Sequence, residues 1–207
     1  DGVAHSAVDV DEVAWTYPVG DRQIVFNPIV VDGVMYVQAK GTAIVALDAA
    51  TGKELWVHAH QGAIGARGVN YWQNADGSDR RLVYLNNGML TELNAKTGEP
   101  ITSFGDNGKV DLRMGLDRPD SATRALQTSN PGRIFENLFI ISLPASGAAY
   151  ESNPADVQAY DILTGKLTWV FHSIPKPGEP GSETWPASTL PTAGGGHNWS
   201  EFTVDEE

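Results

Sequence analysis

A repeated eleven-residue pattern constrains the fold more than any other feature of the sequence. Residues 46–56 read Ala-Leu-Asp-Ala-Ala-Thr-Gly-Lys-Glu-Leu-Trp, and residues 159–169 place Ala, Asp, Thr, Gly and Trp at the same positions. Residues 92–102 keep an Asn, the Thr and the Gly but have no tryptophan. The Asp or Asn positions lie 46 and then 67 residues apart, which indicates a period of about 45 residues with one insertion. This period is typical of β-propeller blades and longer than that of most solenoid repeats.

Each repeat predicts a hairpin, because the Asp or Asn can bond to the turn backbone and the Gly can take a positive φ. Another strand pair precedes the first repeat, with Pro28 to Val31 and Val34 to Val37 flanking Asp32-Gly33. Residues 81–84 and 138–141 occupy the matching place in the next two repeats. We therefore expect an all-β fold of about three blades, each with four antiparallel strands. No segment has a helical apolar period of convincing length.

Tryptophans 56 and 169 end their repeats, and we interpret both as structural. On the last strand of a blade, an indole ring can pack against the Ala and Gly of the next blade.

The two ends of the chain resemble parts of further blades. Residues 13–20 contain Trp-Thr-Tyr, which is typical of a last strand, and residues 198–207 contain a candidate first strand. We predict one partial propeller domain over residues 1–207 that leaves two faces open. The remaining blades would come from sequence beyond this chain or from another chain. The first ten residues have no signal-peptide pattern, and no apolar run reaches the roughly 18 residues that span a bilayer.

Charge and cysteine content exclude several classes of function. The formal net charge of −12 disfavours nucleic acid and anionic membranes, because both require a basic face. The chain has no cysteine, which excludes disulfides, thiolate nucleophiles and zinc–thiolate sites.

Candidate functional residues lie in the loops between the predicted strands. Arg67 ends a Gly-rich loop, Thr128 precedes the third blade, Ser146 and Glu151 lie in an insertion, and Trp199 follows a Gly-Gly-Gly-His-Asn run. Matching loops of successive blades converge on the propeller axis, so these side chains can face one pocket. An arginine suits a planar polyanion, a carboxylate suits Ca²⁺, and an indole offers a stacking surface. Taken singly, each residue also fits a scaffold role: a surface charge, a solvated acid, or another tryptophan between blades.

These segments together resemble the pyrroloquinoline quinone (PQQ)-dependent dehydrogenases. The resemblance extends from about Val13 to the C-terminus and rests on the repeat with tryptophan, on segments 14–17, 67–72, 171–175 and 183–186, and on residues 194–199. The family has an eight-bladed propeller, so this chain resembles its N-terminal part. The resemblance implies PQQ and Ca²⁺ as cofactors and a periplasmic location.

The resemblance assigns a role to each candidate. Arg67 matches the arginine that hydrogen-bonds the quinone, Trp199 the tryptophan beneath its rings, and Thr128 a threonine that contacts a PQQ carboxylate. Glu151 matches the metal-ligating glutamate, and Ser146 a nearby cofactor-binding serine. The family's catalytic aspartate lies on later blades, so no catalytic residue is assigned in this chain.

Two branches of the family differ in the residues that cover one face of the quinone. Alcohol-oxidising members often carry adjacent cysteines there, and residues 61–62 of this chain are Gln-Gly, which is closer to the glucose dehydrogenase branch. That branch's usual histidine is not matched, because Ala63 stands in its place.

The implied function is oxidation of a sugar or alcohol hydroxyl, with hydride transfer to PQQ and onward transfer to an unidentified quinone or cytochrome. The isolated chain is expected to be inactive. The alternative is a non-catalytic PQQ-like propeller that serves as an assembly or binding module. Such a module has no reason to keep Arg67, Thr128 and Trp199 together.

Overall fold

Three antiparallel four-stranded sheets make up the described part of the chain, as predicted. The computed structural model describes residues 13–20, 26–59, 62, 64–65, 67–116, 128, 130–144, 152–198 and 201–205. Blade 1 contains β1 (Ile29–Val31), β2 (Val34–Ala39), β3 (Ala43–Asp48) and β4 (Glu54–His58). Blade 2 contains β5 (Asn70–Gln73), β6 (Arg80–Asn86), β7 (Met89–Asn94) and β8 (Lys109–Asp111). Blade 3 contains β9 (Arg133–Phe135), β10 (Leu138–Ser142), β11 (Val157–Asp161) and β12 (Leu167–Phe171).

The repeated turn forms between the third and fourth strands, as the pattern predicts. In blade 1 the Asp48 carboxylate accepts hydrogen bonds from the Thr51 amide at 2.8 Å and from the Thr51 hydroxyl at 2.7 Å. Asp161 and Thr164 repeat both bonds in blade 3. A two-residue turn joins β1 to β2, where Asp32 and Gly33 both have positive φ.

The hydrophobic core lies between neighbouring blades. One cluster separates blades 1 and 2, and its buried members are Tyr36, Ile44, Ala46, Ile64, Val69, Leu82, Tyr84, Leu93 and Ala95. A second cluster separates blades 2 and 3, and its buried members are Trp72, Val83, Leu85, Leu90, Phe104, Leu112, Leu116, Phe139, Ile141, Leu143, Tyr160 and Ile162.

Tryptophan side chains connect one blade to the next, which confirms the structural role expected for Trp56. The Trp56 indole N–H donates to the Ala95 carbonyl of blade 2 at 3.1 Å. Its ring covers Gly98, where an added Cβ would lie 2.6 Å from ring atom Cε3. Trp15 docks on blade 1 in the same way, with its N–H 3.0 Å from the Ala49 carbonyl. No strand is assigned to residues 13–20, although they dock as a last strand would.

Blade 2 has no tryptophan at the repeat position, where Thr102 stands, and an insertion takes over the contact with Gly165 of blade 3. A Cβ added at Gly165 would lie 2.6 Å from Val110 Cγ2 and 3.1 Å from Gly105 Cα. The Gly105 amide also donates to the Thr164 carbonyl at 3.1 Å. Val110 and Gly105 therefore cover the turn at Gly165, where an indole ring covers the matching turns of the other blades.

The outer side of blade 3 has no further blade against it among the described residues. Trp169 pairs with Ala159 as Trp56 pairs with Ala46, yet it is 38% exposed. Residues 201–205, part of the expected next strand, are assigned no strand. In the described residues the only helical turns are two short 3-10 segments, Leu112–Gly115 and Ser182–Thr184. No helix in that part of the chain is long and apolar enough to cross a membrane.

We predict that Trp56→Ala destabilises the chain by about 2–4 kcal/mol, because it removes a packed indole and leaves the Ala95 carbonyl without that donor. Trp169→Ala is the matched control and should cost well under half as much, since no blade in the described part of the chain packs against the Trp169 ring. Urea unfolding of the two variants measures the difference. Equal losses of stability would contradict this account of the docking contact.

Candidate functional site

The loops that precede the innermost strands lie at one end of the blades. β5 and β9 are the first strands of neighbouring sheets, and they contact each other. They are therefore the strands nearest the propeller axis. We call the end at which β1, β5 and β9 begin the entry end, and the opposite end, where the repeated turns lie, the far end. Arg67 and Thr128 precede β5 and β9, so the structure places both at the entry end.

Arg67 stands in an exposed position at the start of blade 2. The Gly68 amide after it donates to the Gly65 carbonyl at 3.2 Å. Gly68 has a φ of 108°, and an added Cβ would lie 2.6 Å from the Asn27 carbonyl oxygen of blade 1. Only glycine fits this close approach. The Arg67 guanidinium has no hydrogen bond or ion pair with any described residue, which leaves it able to bind an anion.

Thr128 belongs to a loop that is bonded to blade 2. The Thr128 hydroxyl oxygen accepts from the Asn130 amide at 3.0 Å, and no described residue accepts a bond from its O–H. The Asn70 side chain, three residues after Arg67, donates to the Pro131 carbonyl. The loops that carry Arg67 and Thr128 are thus joined directly.

The Gly-rich run before Trp199 returns to the same end of blade 3. A Cβ at Gly194 would lie 2.3 Å from the Ser152 carbonyl oxygen, so the two backbones are in close contact. The Asn198 amide donates to the Ser142 hydroxyl at 3.0 Å, and the Asn130 side chain donates to the Asn198 carbonyl at 3.4 Å. Asn130 therefore links the Thr128 loop to the residue directly before Trp199.

Three predicted site residues, Ser146, Glu151 and Trp199, lie outside the described residues, so their roles remain predictions. Ser152 and Asn198, which directly follow Glu151 and precede Trp199, both lie at the entry end. No group of three or more His, Asp or Glu side chains that could hold a metal ion occurs in the described part. The described residues therefore give no donor set for Ca²⁺.

A cavity of about 330 Å³ lies at the entry end of blade 3, farther from the axis. It is lined by Pro154, Asp156, His172, Ser173, Ile174, Pro175, Lys176, Pro177, Leu190, Pro191 and Ala193. At its rim His172 Nδ1 lies 2.7 Å from a Glu179 oxygen. The Lys176 amide, together with His172, lowers the pKa of Glu179 below its usual range. Arg67 and Thr128 do not line this cavity, so it is separate from the axial loops.

The sequence drew attention to loops that lie at the entry end, but it did not identify the residues that join them, which are Asn70, Asn130, Ser142 and Asn198. One signal was present, because Asn27-Pro28 and Asn130-Pro131 both stand just before the first strand of a blade. An asparagine at that place can bond to loop backbone. Its partner 68 residues away could not be read from the local pattern.

We predict that Asn130→Ala loosens the segment before Trp199, because it removes the side-chain bond to the Asn198 carbonyl. Amide hydrogen exchange in residues 194–198 should become faster by about 5-fold or more, which corresponds to the loss of one hydrogen bond. Ser188→Ala, an exposed change in the preceding loop, is the control. Unchanged exchange in Asn130→Ala would contradict the link.

Comparison with known proteins agrees with this architecture. The family model described as PQQ: Glucose/ethanol/alcohol dehydrogenase, beta-propeller domain, matches residues 1–207. A quinoprotein glucose dehydrogenase from Gluconobacter oxydans is 30% identical over 74% of this chain and 22% of its own length. The quinohemoprotein alcohol dehydrogenase ADH-IIG from Pseudomonas putida is 30% identical over 94% of this chain and 27% of its own length. Because the two identities are equal, a closer relation to the glucose branch remains a prediction.

A solved structure shows a similarity to the same group of proteins. The quinohemoprotein alcohol dehydrogenase from Comamonas testosteroni aligns with a TM-score of 0.58 and 26% identity, over 82% of this chain and 24% of that protein. The chain thus spans about a quarter of the length of the relatives it matches. Its three unclosed blades and its match along the whole sequence show that the chain belongs to the family of PQQ-dependent dehydrogenase β-propellers.

Proposed function

We propose that this chain forms part of the quinone pocket of a PQQ- and Ca²⁺-dependent dehydrogenase that oxidises a sugar or alcohol hydroxyl. Family membership supports the class of reaction. The observation that carries the proposal is the set of hydrogen bonds at the entry end. These bonds join the loop of Arg67, the loop of Thr128 and the segment that leads into Trp199. Three loops held together in this way can contact one ligand.

The available side-chain chemistry fits a planar polyanion such as PQQ. Arg67 offers a guanidinium fork with no described partner, which suits a carboxylate or a quinone oxygen. Thr128 offers an O–H that no described residue uses. In the proposed site, the Trp199 indole supplies the surface on which the ring system stacks.

The metal part of the proposal rests on Glu151, with Ser146 as an additional polar group near the cofactor. Carboxylate oxygens are ligands that Ca²⁺ prefers. Because the described residues contain no donor set, further ligands would have to come from other segments.

In this proposal the chain binds and orients the cofactor, while the proton acceptor belongs to other blades. PQQ, when bound, would supply the hydride acceptor for this reaction. Arg67 would hold the quinone in position, and its positive charge would favour negative charge at that place. Fixing the cofactor in one orientation is itself a large part of catalysis, since it removes the entropy of bringing the reactants together.

The substrate and the electron acceptor extend the proposal beyond this chain. A sugar or alcohol is the proposed substrate, and a quinone or a cytochrome is the proposed acceptor. A periplasmic location, implied by the family resemblance, belongs to the same proposal.

A non-catalytic propeller module is the second candidate. It would share the tryptophan docking contacts, because those stabilise any propeller of this type. It would not need, at one end, an arginine and a threonine O–H whose polar groups have no partner among the described residues. PQQ binding therefore separates the two candidates better than the fold does.

We predict that the 207-residue chain binds PQQ weakly but shows no dehydrogenase turnover with glucose or several alcohols, even with added Ca²⁺. Arg67→Ala should weaken PQQ binding about 10-fold or more, because a charge-assisted hydrogen bond is lost. Lys53→Ala is the control, since it removes one exposed positive charge at the far end. A fluorescence titration with PQQ measures binding, and a dye-reduction assay measures turnover.

Equal PQQ affinities for Arg67→Ala and Lys53→Ala would contradict the assigned role of Arg67. Turnover by this chain that depends on PQQ would show that the proton acceptor lies within it, and Glu151 would be the first residue to test.

A further inference from the structure

Blade 2 departs from the internal repeat at two positions on one face of its sheet. Position 92 holds a glutamate, whereas the matching positions hold Ala46 in blade 1 and Ala159 in blade 3. The strand register proves this equivalence, because Tyr36, Val83 and Ile140 pair with positions 46, 92 and 159. In the same way Arg81 of blade 2 matches Val34 and Leu138. Blade 2 therefore has an Arg–Glu pair where its neighbours have two apolar side chains.

Arg81 makes the contact that tryptophan makes elsewhere in the chain. Its Nη1 donates to the Ile162 carbonyl of blade 3 at 3.0 Å. Ile162 follows Asp161 as Ala49 follows Asp48 and as Ala95 follows Asn94. The carbonyls of residues 49 and 95 accept the indole N–H of Trp15 and Trp56. The Arg81 guanidinium thus supplies the donor that blade 2 lacks.

Neighbouring groups hold the guanidinium in place. Asp79 accepts from Arg81 Nε at 3.1 Å and from Nη2 at 2.7 Å. The Trp72 ring lies 5.5 Å from the guanidinium carbon, and the Trp72 N–H donates to the Glu136 carbonyl of blade 3 at 3.0 Å. Arg81 and Trp72 therefore tie blade 2 to two separate turns of blade 3.

Glu92 is the least expected member of this group, because its side chain is 0% exposed. Glu92 Oε2 lies 2.8 Å from Arg81 Nη1, and Oε1 has no hydrogen-bond partner in the described part of the chain. Burial raises the pKa of Glu92 to about 8, although its bond to Arg81 opposes the shift. The other charged groups that act on it are Asp79 and Asp161, and both raise the pKa further.

We propose that Arg81 and Glu92 form a pH-sensitive contact between blades 2 and 3 in place of the docking tryptophan. The contact lies toward the far end, away from the loops of the proposed quinone site, and does not depend on a bound cofactor. When Glu92 is neutral, the charge of Arg81 is balanced by Asp79 and the buried carboxyl has little desolvation cost. When Glu92 loses its proton, a second negative charge is buried beside Asp79, and one of its oxygens lacks a donor.

The direction of the pH dependence follows from the raised pKa. The folded state holds the proton of Glu92 more strongly than the unfolded state does, where an ordinary pKa near 4.3 applies. The stability from this group is therefore fully present below about pH 4 and is lost as the pH rises through about 8.

The test compares urea unfolding of the 207-residue chain and of Glu92→Gln between pH 5 and pH 9. Gln keeps the shape and the oxygen acceptor of the neutral acid but cannot ionise. The ratio of the two unfolding equilibrium constants should change by up to about 10-fold per pH unit between pH 5 and pH 8. Glu183→Gln, an exposed change outside the three blades, should follow the pH profile of the unchanged chain. Taking ratios removes the contributions of His58 and other groups that both proteins share.

Two further measurements locate the effect at the interface. Amide exchange in residues 104–111 and 157–166, corrected for the intrinsic effect of pH, should rise with pH in the unchanged chain but not in Glu92→Gln. The double variant Arg81→Leu with Glu92→Ala restores the type of pair found in blade 3, and its unfolding should lose this pH dependence. Parallel unfolding profiles for the unchanged chain and Glu92→Gln would overturn the proposal. A pH dependence that survives in the double variant would overturn it as well.

Discussion

The spacing of the blades depends on one contact between a tryptophan and a repeated turn. The indole N–H donates to the backbone carbonyl of the residue that follows the Asp or Asn of the turn. The Asp or Asn of the turn bonds the turn backbone, which leaves the next residue's carbonyl directed toward the preceding blade. The indole ring then lies flat over the glycine of the same turn, where no side chain larger than hydrogen fits. Trp15 and Trp56 both satisfy these conditions. Because an apolar ring and a polar donor act at one place, the contact fixes both the distance and the orientation of the next blade.

The strands and blades could be predicted from the sequence alone because this turn is formed by residues that are close in the chain. The turn reads Asp or Asn, two variable residues, Thr and Gly, and its three copies predicted the three blades correctly. The role of Arg81 could not be predicted, because an arginine in a strand usually faces solvent. Recognising its role requires the strand register, which shows that positions 81 and 92 share the face toward blade 3. A glutamate at the repeat's alanine position was the visible signal.

Less of the candidate site than of the fold could be predicted from the sequence. Loops at matching places in successive blades converge, and Arg67 and Thr128 both lie at the entry end, although their roles remain predictions. The bonds that join those loops connect residues 61 and 68 positions apart, and no periodic pattern encodes such distances. Polar residues that bond loop backbone are also common in turns without function. For that reason the bonds by which Asn70 and Asn130 join the loops could be recognised only in the structure.

Blade 2 shows how a propeller can keep its geometry when the docking residue is lost. The two tasks of the tryptophan are divided, since Val110 covers the glycine and Arg81 supplies the donor. Adjacent arginines reach in opposite directions, because successive residues of a strand face opposite sides of the sheet. Arg80 pairs with Asp32 of blade 1 at 2.9 Å, while Arg81 bonds to blade 3. Blade 2 is therefore held by charge on both faces. This arrangement has a cost at Glu92, because burial opposes ionisation of its carboxyl group even though Arg81 lies beside it. The alanines at the matching positions of the other blades carry no ionisable group.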